Sequence, residues 1–343
     1  MNSFYQRSSE EQVKILEIMA RVALAHWCLE DAELWTLKYR ENCVFGVRDS
    51  DGVQYALRIH RPGYHDARSL KSELEWMEAL HQDGVHTPEV IHTKSGDLNI
   101  IVEVDEVPEA RVCDLLAWVE GEQLGQIEGS EIDVSPDDVR RNHKLAGCIA
   151  AQVHNQAQSW AIPEGFKRPV MDGPGLVSEQ GYLGDFRTHP HLSAEQLSLL
   201  NKAAARVEVE LEAFGKSGDR FGLTHADFLP ENMLLDQGDI RLIDFDDCGF
   251  GWYVMDIATC LFFQLGEASF DAAMEGMIEG YREVRDLPDE HLELLGAFFL
   301  ARCLCYVAWV ASRQETAEFE ELSPMLIGAA LELAEDYLGS AAA

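Results

Sequence analysis

The stretch "LTHADFLPENMLL" at 223–235 constrains this chain more than any other. Apolar residues lead in and out of it, yet between them stand His225, two acids and Asn232, groups that a helix or strand interior buries only with partners. Such a block belongs on a loop between short apolar strands. On a loop of this kind an aspartate, Asp227, can take the proton of an attacking hydroxyl while an asparagine five residues on holds a divalent ion. Twelve residues further, Asp244 in "IRLIDFDD" follows a hydrophobic strand and can ligate the same ion. The segment "DQGD" joins "MLL" to "IRLIDF" as a hairpin, so Asn232 and Asp244 are expected to converge on magnesium, whose hard charge prefers oxygen ligands. An isolated His-x-Asp, or a lone acid after a strand, would be ordinary turn chemistry. The order and spacing of all three residues, after a strand-rich first half, point to phosphoryl transfer.

That first half has its own rhythm. Residues 10–29 read as a helix, followed by three short strands, "ELWTLKY", "CVFGVRD" and "VQYALRIH", the last two joined by a hairpin at Asp51-Gly52. A helix follows at 67–82, with Leu70, Leu74, Met77 and Leu80 at helical spacing and Gly84 closing it. The strands "LNIIVEV" and "VCDLLAWV" complete a small sheet with one helix inserted after its third strand. Beyond Gly121 the pattern turns helical, at 136–159, 193–214, 254–265, 268–284, 289–313 and 321–338, interrupted by the strands of 221–247. The tail "GSAAA" is expected to fray.

Composition narrows the chemistry. Of the 343 residues, 47% are hydrophobic, enough for two lobes with cores of ordinary size. Lys+Arg of 27 against Asp+Glu of 61 gives a formal charge of −34, which repels phosphate backbones and anionic membrane surfaces. Nucleic acid and membrane partners are therefore not expected. The same acidity would concentrate a cationic small molecule, although a solvated, solubilising surface is the simpler account of it. The stretch 103–138 holds twelve acids and a single base, Arg111, and is read as an exposed acidic surface near the lobe boundary. The eight cysteines form no Cys-x-x-Cys pair, so buried, reduced thiols in a cytoplasmic protein are expected. No apolar leader opens the chain, and the longest apolar stretch, 297–311, contains Arg302 and reads as too short for a membrane span.

The segments "HADFLPENMLL", "LIDFDDCGFGWYVMDIA" and "YALRIHRPG" resemble the aminoglycoside phosphotransferase and choline kinase family, whose fold is that of the protein kinases and which includes homoserine kinase type II, hydroxylysine kinase and a bacterial stress-response kinase. The resemblance runs from about 30 to 310 and is sharpest over 223–259. It implies that Asp227 is the catalytic base, that Asn232 and Asp244 ligate magnesium, and that His225 props the loop. It also implies that Asp256 in "GWYVMDIA" braces that loop by hydrogen bonds. Asp246 and Asp247 are further acids beside these, read either as support around the metal or as plain surface.

A kinase of this kind needs a cation on its third strand to touch the α- and β-phosphates of ATP, and a glutamate on the next helix to hold that cation. Arg58 and Glu73 fill these places, with arginine where lysine is usual and Arg61 as the nearby competitor. Arginine is longer and planar but keeps its charge and bonds phosphate bidentately. No Gly-x-Gly-x-x-Gly loop covers the phosphates, and "YRENCVFGV" stands in its place with Asn42 as a polar contact. The segment "LLAWVEGEQL" resembles the family's hinge, which puts the backbone groups of Ala117 and Val119 against the adenine edge and leaves Trp118 to packing.

The expected fold is therefore α+β and protein-kinase-like, with a nucleotide-binding lobe over 1–118 carrying a small antiparallel sheet and a helical catalytic and substrate lobe over 119–343. The expected reaction moves the γ-phosphoryl group of ATP, with magnesium, to a hydroxyl of a small molecule that carries an amine. The insert 168–193 and the helices of 268–313 are expected to line the acceptor site, but nothing in them spells one molecule. Two alternatives remain open on the sequence: a serine/threonine protein kinase resembling the stress-response enzyme, and a nucleotide-binding pseudokinase.

Overall fold

The structure, a computed structural model, describes residues 4–39, 42–125 and 135–339. Part of the acidic stretch near the boundary, two residues of the loop between the first two strands, and most of the C-terminal tail lie outside the described residues. The chain divides into two compact units, one of Met1–Glu122 with Ile162–Lys167 and Arg241–Asp246, the other of Gln123–Ala161, Arg168–Ile240 and Asp247–Ala343.

In the first unit α1 (Ser9–Leu24) precedes β1 (Glu33–Tyr39), β2 (Cys43–Arg48) and β3 (Gln54–Ile59). Then come α2 (Ala67–Gln82), β4 (Asn99–Val102) and β5 (Arg111–Ala117). The strands form one antiparallel sheet in the order β1-β2-β3-β5-β4. Helix α1 starts at a capping box made by Ser8 and Glu11, while the Asp66 carboxylate accepts the Ser69 amide at the start of α2. Strand alternation sends Cys43, Phe45, Val47, Leu57 and Ile59 into one core with Met19, Ala20, Ala23 and Leu24 of α1. Arg58 and Asp114 therefore point the other way, and they are direct cross-strand partners in the register of β3 on β5.

In the second unit the helices are α3 (Pro136–Ser159), α4 (Gly173–Val177), α5 (Ala194–Phe214) and α6 (Tyr253–Leu261), then α7 (Phe270–Val284), α8 (Asp289–Leu292), α9 (Leu295–Ala311) and α10 (Ala317–Gly339). Glycines bring the backbones of α3 and α7 together. A Cβ on Gly280 would lie 1.9 Å from the Lys144 carbonyl oxygen, and one on Gly147 would lie 2.2 Å from that of Met277. The short strands are β6 (Glu122–Gln123), β7 (Val170–Met171), β8 (Phe221–Thr224), β9 (Met233–Asp236), β10 (Asp239–Leu242) and β11 (Gly249–Trp252). Strand β11 pairs antiparallel with β8 and parallel with β7. The β9–β10 turn puts Gln237 at φ 53° and Gly238 at φ 97°, the two positive values that a tight I′ hairpin requires, and the chain leaves this unit within β10.

Three expectations are corrected. The helix expected over 289–313 is two helices, α8 and α9, separated at Glu293 and Leu294. All eight cysteines are free thiols, but they are not all buried: Cys28 is exposed and Cys148 half-buried. The stretch 297–311 is part of a longer apolar span, Asp289–Ala311, which, taken through the turn at Glu293 and Leu294, is long and apolar enough to cross a membrane by length and composition alone. The most apolar 18 residues of that span are nonetheless 78% buried inside the protein, as in a core helix.

Candidate active site

The second unit holds the loop that carries His225, Asp227 and Asn232. After β8 the chain turns through Ala226, a non-glycine residue at φ 65°, into Asp227. That conformation costs an alanine about 1–2 kcal/mol and persists only where the surroundings over-determine it. Around Ala226 they do. The Asp256 carboxylate, fully buried on α6, accepts the amide of His225 on one oxygen at 2.9 Å and that of Ala226 on the other at 2.8 Å. His154 of α3 donates from Nε2 to the same aspartate at 3.1 Å and accepts at Nδ1 from the Tyr281 hydroxyl at 2.9 Å. Burial pushes His154 down from its ordinary value, which suits this neutral role. His225 itself is fully buried, edge-on to Phe228.

Both oxygens of the Asp227 carboxylate are held. Asn232 donates its amide nitrogen to Oδ2 at 2.9 Å and to the Asp227 carbonyl, also at 2.9 Å. From α9, Arg302 donates Nη2 to Oδ1 at 2.9 Å. The side chain of Asp227 keeps 24% of its surface exposed against 2% for Arg302, so the carboxylate is gripped from within and open on its outer edge. Sequence reasoning did not bring Arg302 to this carboxylate. The signal was present, because a lone arginine in the apolar run "AFFLARCLCYVAWVA" must find an acceptor, but which one lies 75 residues away along the chain.

The first unit gathers a second set. Arg58 lies on β3, 7% exposed, and donates Nη1 to Glu73 of α2 at 2.7 Å. Its Nε and Nη2 reach the two oxygens of Asp114 at 2.7 and 3.0 Å, a bidentate pair that takes two of the five guanidinium donors. Burial alone would lower the Arg58 pKa, but Asp114 and Glu73 outweigh it and hold the guanidinium firmly charged. Asp114 is the anchor that sequence reasoning missed. His60 sits 2.6 Å from Asp114 through Nε2, and its Nδ1 is 3.7 Å from Asp246. Burial works against a charged His60, yet the Asp114 carboxylate prevails and raises it above its ordinary value. Asn42 donates to Asp246 at 3.3 Å and accepts the amide of Arg61 at 3.0 Å, while the Arg61 guanidinium lies 3.7 Å from the centre of the Tyr64 ring. Asp244 follows β10 with an exposed side chain and φ 65°. The Ala117 amide donates to the Glu89 carbonyl at 2.8 Å, and Trp118 packs with its ring 6.2 Å from that of Trp35.

Residues 39–293 match the phosphotransferase enzyme family, APH. The chain belongs to that family. Amicoumacin kinase of Bacillus subtilis (strain 168) is 24% identical to this phosphotransferase over 296 residues, which span 83% of this chain and 82% of that one. Among solved structures, a microcompartment-associated aminopropanol kinase is 31% identical with a TM-score of 0.82, covering 94% of this chain and 98% of its own. A structure of amicoumacin kinase in complex with AMP-PNP, Ca2+ and Ami is 19% identical with a TM-score of 0.74 over 93% of each chain. Choline kinases and aminoglycoside phosphotransferases share the fold at lower similarity. The fold is accordingly the α+β, protein-kinase-like one, and the phosphotransferase is a small-molecule kinase that acts on a hydroxyl group.

Proposed function

We propose that this phosphotransferase moves the γ-phosphoryl group of ATP, with magnesium, to the hydroxyl of a small amino alcohol. The observation that carries the reading is the Asp227 carboxylate, gripped on its inner side by Arg302 and Asn232 on a loop pinned by Asp256 and open on its outer edge. The Asp227 side chain keeps 24% of its surface exposed, which gives an acceptor hydroxyl access to it. That hydroxyl gives its proton to Asp227 as its oxygen bonds to the γ-phosphorus and the bond from phosphorus to ADP breaks.

Amide and carboxylate oxygens are the donors that a hard divalent ion prefers. Asn232 turns its amide nitrogen to Asp227, which points the amide oxygen the other way, and Asp244 exposes a carboxylate. Asn232 and Asp244 would hold magnesium, which would supply charge neutralisation at the phosphates. Arg58, fixed by Glu73 and Asp114, would meet the α- and β-phosphates with its remaining donors, and Asn42 is a weaker polar contact. With the Ala117 amide already engaged, its carbonyl and the Val119 amide are the groups suited to an adenine edge. In this reading residues 1–118 serve the nucleotide and 119–343 the chemistry and acceptor, in the cytoplasm, where free thiols persist.

The amine rests on the likeness to aminopropanol kinase and on the net charge. Peptide acceptors are not favoured, because amicoumacin kinase and aminopropanol kinase are both named for small molecules. The test is ATP consumption against amino alcohols, sugars, aminoglycosides and a generic protein substrate. Amino alcohols should be consumed with the highest specificity constant. Turnover of the protein alone, or of no hydroxyl acceptor, overturns the proposal.

A further inference from the structure

We infer that Arg302 is a positioning residue for phosphoryl transfer, fixing the plane of the Asp227 carboxylate from inside the fold. The inference rests on Asp227 being the group that meets the acceptor hydroxyl. Helix α9 is otherwise an apolar core helix, and Arg302 within it is 1% exposed. Placing a guanidinium there costs several kcal/mol unless its donors are met, so its acceptors say what it is for. It has three: the Tyr182 hydroxyl at 2.8 Å and the Ala226 carbonyl at 2.9 Å from Nη1, and Asp227 Oδ1 at 2.9 Å from Nη2. The Tyr306 ring lies 4.3 Å from the guanidinium carbon and closes the remaining side.

Charge balance alone would be best served by a buried carboxylate. Arg302 instead pairs with one that is partly exposed, and it also bonds the carbonyl of the strained residue before it. Asp256 already holds the amides of His225 and Ala226, so the loop is fixed through its N–H groups on one side and its carbonyl on the other. With Arg302 on Oδ1 and Asn232 on Oδ2, the carboxylate cannot rotate about its terminal bond without breaking a hydrogen bond. A loose transition state asks the aspartate mainly for position, and a displacement of about 1 Å is enough to lower a rate by about a hundredfold.

The test is steady-state kinetics of Arg302→Lys and Arg302→Gln, each with a thermal unfolding curve, beside Asp227→Asn. Positioning predicts that kcat per folded molecule falls about tenfold in the lysine variant, which keeps the charge but loses the fork, and about a hundredfold in the glutamine variant. The KM for ATP should stay within about twofold of wild type in both, because the nucleotide contacts are not touched. Wild-type kcat per folded molecule in either variant overturns the assignment, as does a rise in the KM for ATP that accounts for the whole loss. If the glutamine variant does not fold, the lysine variant decides alone. Turnover retained by Asp227→Asn would instead defeat the underlying reading, whereas an inactive Asp227→Asn beside fully active Arg302 variants would defeat only the positioning role of Arg302.

Discussion

Asp244 and Arg58 are both charged, but substitution should do opposite things to them because one is exposed and the other buried. Asp244→Asn removes a full negative charge from the proposed magnesium site and disturbs no core. Turnover should fall by more than about a hundredfold while the unfolding free energy stays within about 0.5 kcal/mol of wild type. Magnesium-dependent turnover unchanged in this variant would remove Asp244 from the metal site. Arg58→Ala leaves Glu73 and Asp114 as buried carboxylates without their shared cation, which should destabilise the first unit by about 3–5 kcal/mol. Loss of ATP binding in that variant would therefore be confounded by unfolding. Arg58→Lys is the informative change: denaturant titration should show an intermediate loss of stability, and the KM for ATP should rise. His60 gives the same cluster a pH dependence. Its raised pKa means that the folded state binds its proton more tightly than the unfolded state does. The stabilisation is complete below about pH 6.5 and is lost as the pH rises through the higher folded value. Urea midpoints between pH 5.5 and 8.5 should fall more steeply for wild type than for His60→Gln, and parallel curves would refute the coupling.

At the scale of elements, the contact of α3 with α7 depends on having no side chain at three positions. A Cβ at Gly276 would come within 2.2 Å of the Arg140 carbonyl oxygen, and Gly280 and Gly147 are as tight against backbone. Backbone cannot step aside as a flexible side chain can. Gly280→Ala should destabilise the protein by about 1–3 kcal/mol, read as a lower thermal midpoint, despite alanine's better helix propensity. An unchanged midpoint would mean that the helices slide apart without penalty. Some helix spans were legible from periodicity: the bounds expected for α2 and α3 are those observed, and α7 begins two residues later than expected. Others were not. The separation of α8 from α9 has no proline or glycine at Glu293 or Leu294 to announce it, and the short α4 carries too few residues to show a period. Strands β7, β8 and β11 are similarly brief, and what defines them is pairing with partners distant in sequence.

For the whole molecule, the net charge of −34 makes a prediction about the acceptor. If the substrate carries an amine, its attraction to this surface is screened over about 8 Å at physiological ionic strength. The specificity constant for an amino alcohol should fall as salt rises from low to physiological, while that for a neutral polyol should stay flat. Equal slopes would mean that the acidity serves solubility alone.

The chain by itself determined the elements whose evidence is local: the strands of the five-stranded sheet, the bounds of α2 and α3, and a turn at "DQGD", along with the spacing of Asp227, Asn232 and Asp244 from which a phosphotransferase was expected. All of these lie within a window where covalent geometry fixes which residues can be neighbours. Only the tertiary structure decided the partners that hold them. Asp114 pairs with Arg58 because β5 lies next to β3 in register, although 56 residues separate them. Arg302 reaches Asp227 because α9 passes beneath the loop, and Asp256 reaches the two loop amides from α6. The reason is physical: a buried charge requires a partner, so the sequence reveals the requirement, but the partner is chosen by whichever element the fold brings alongside.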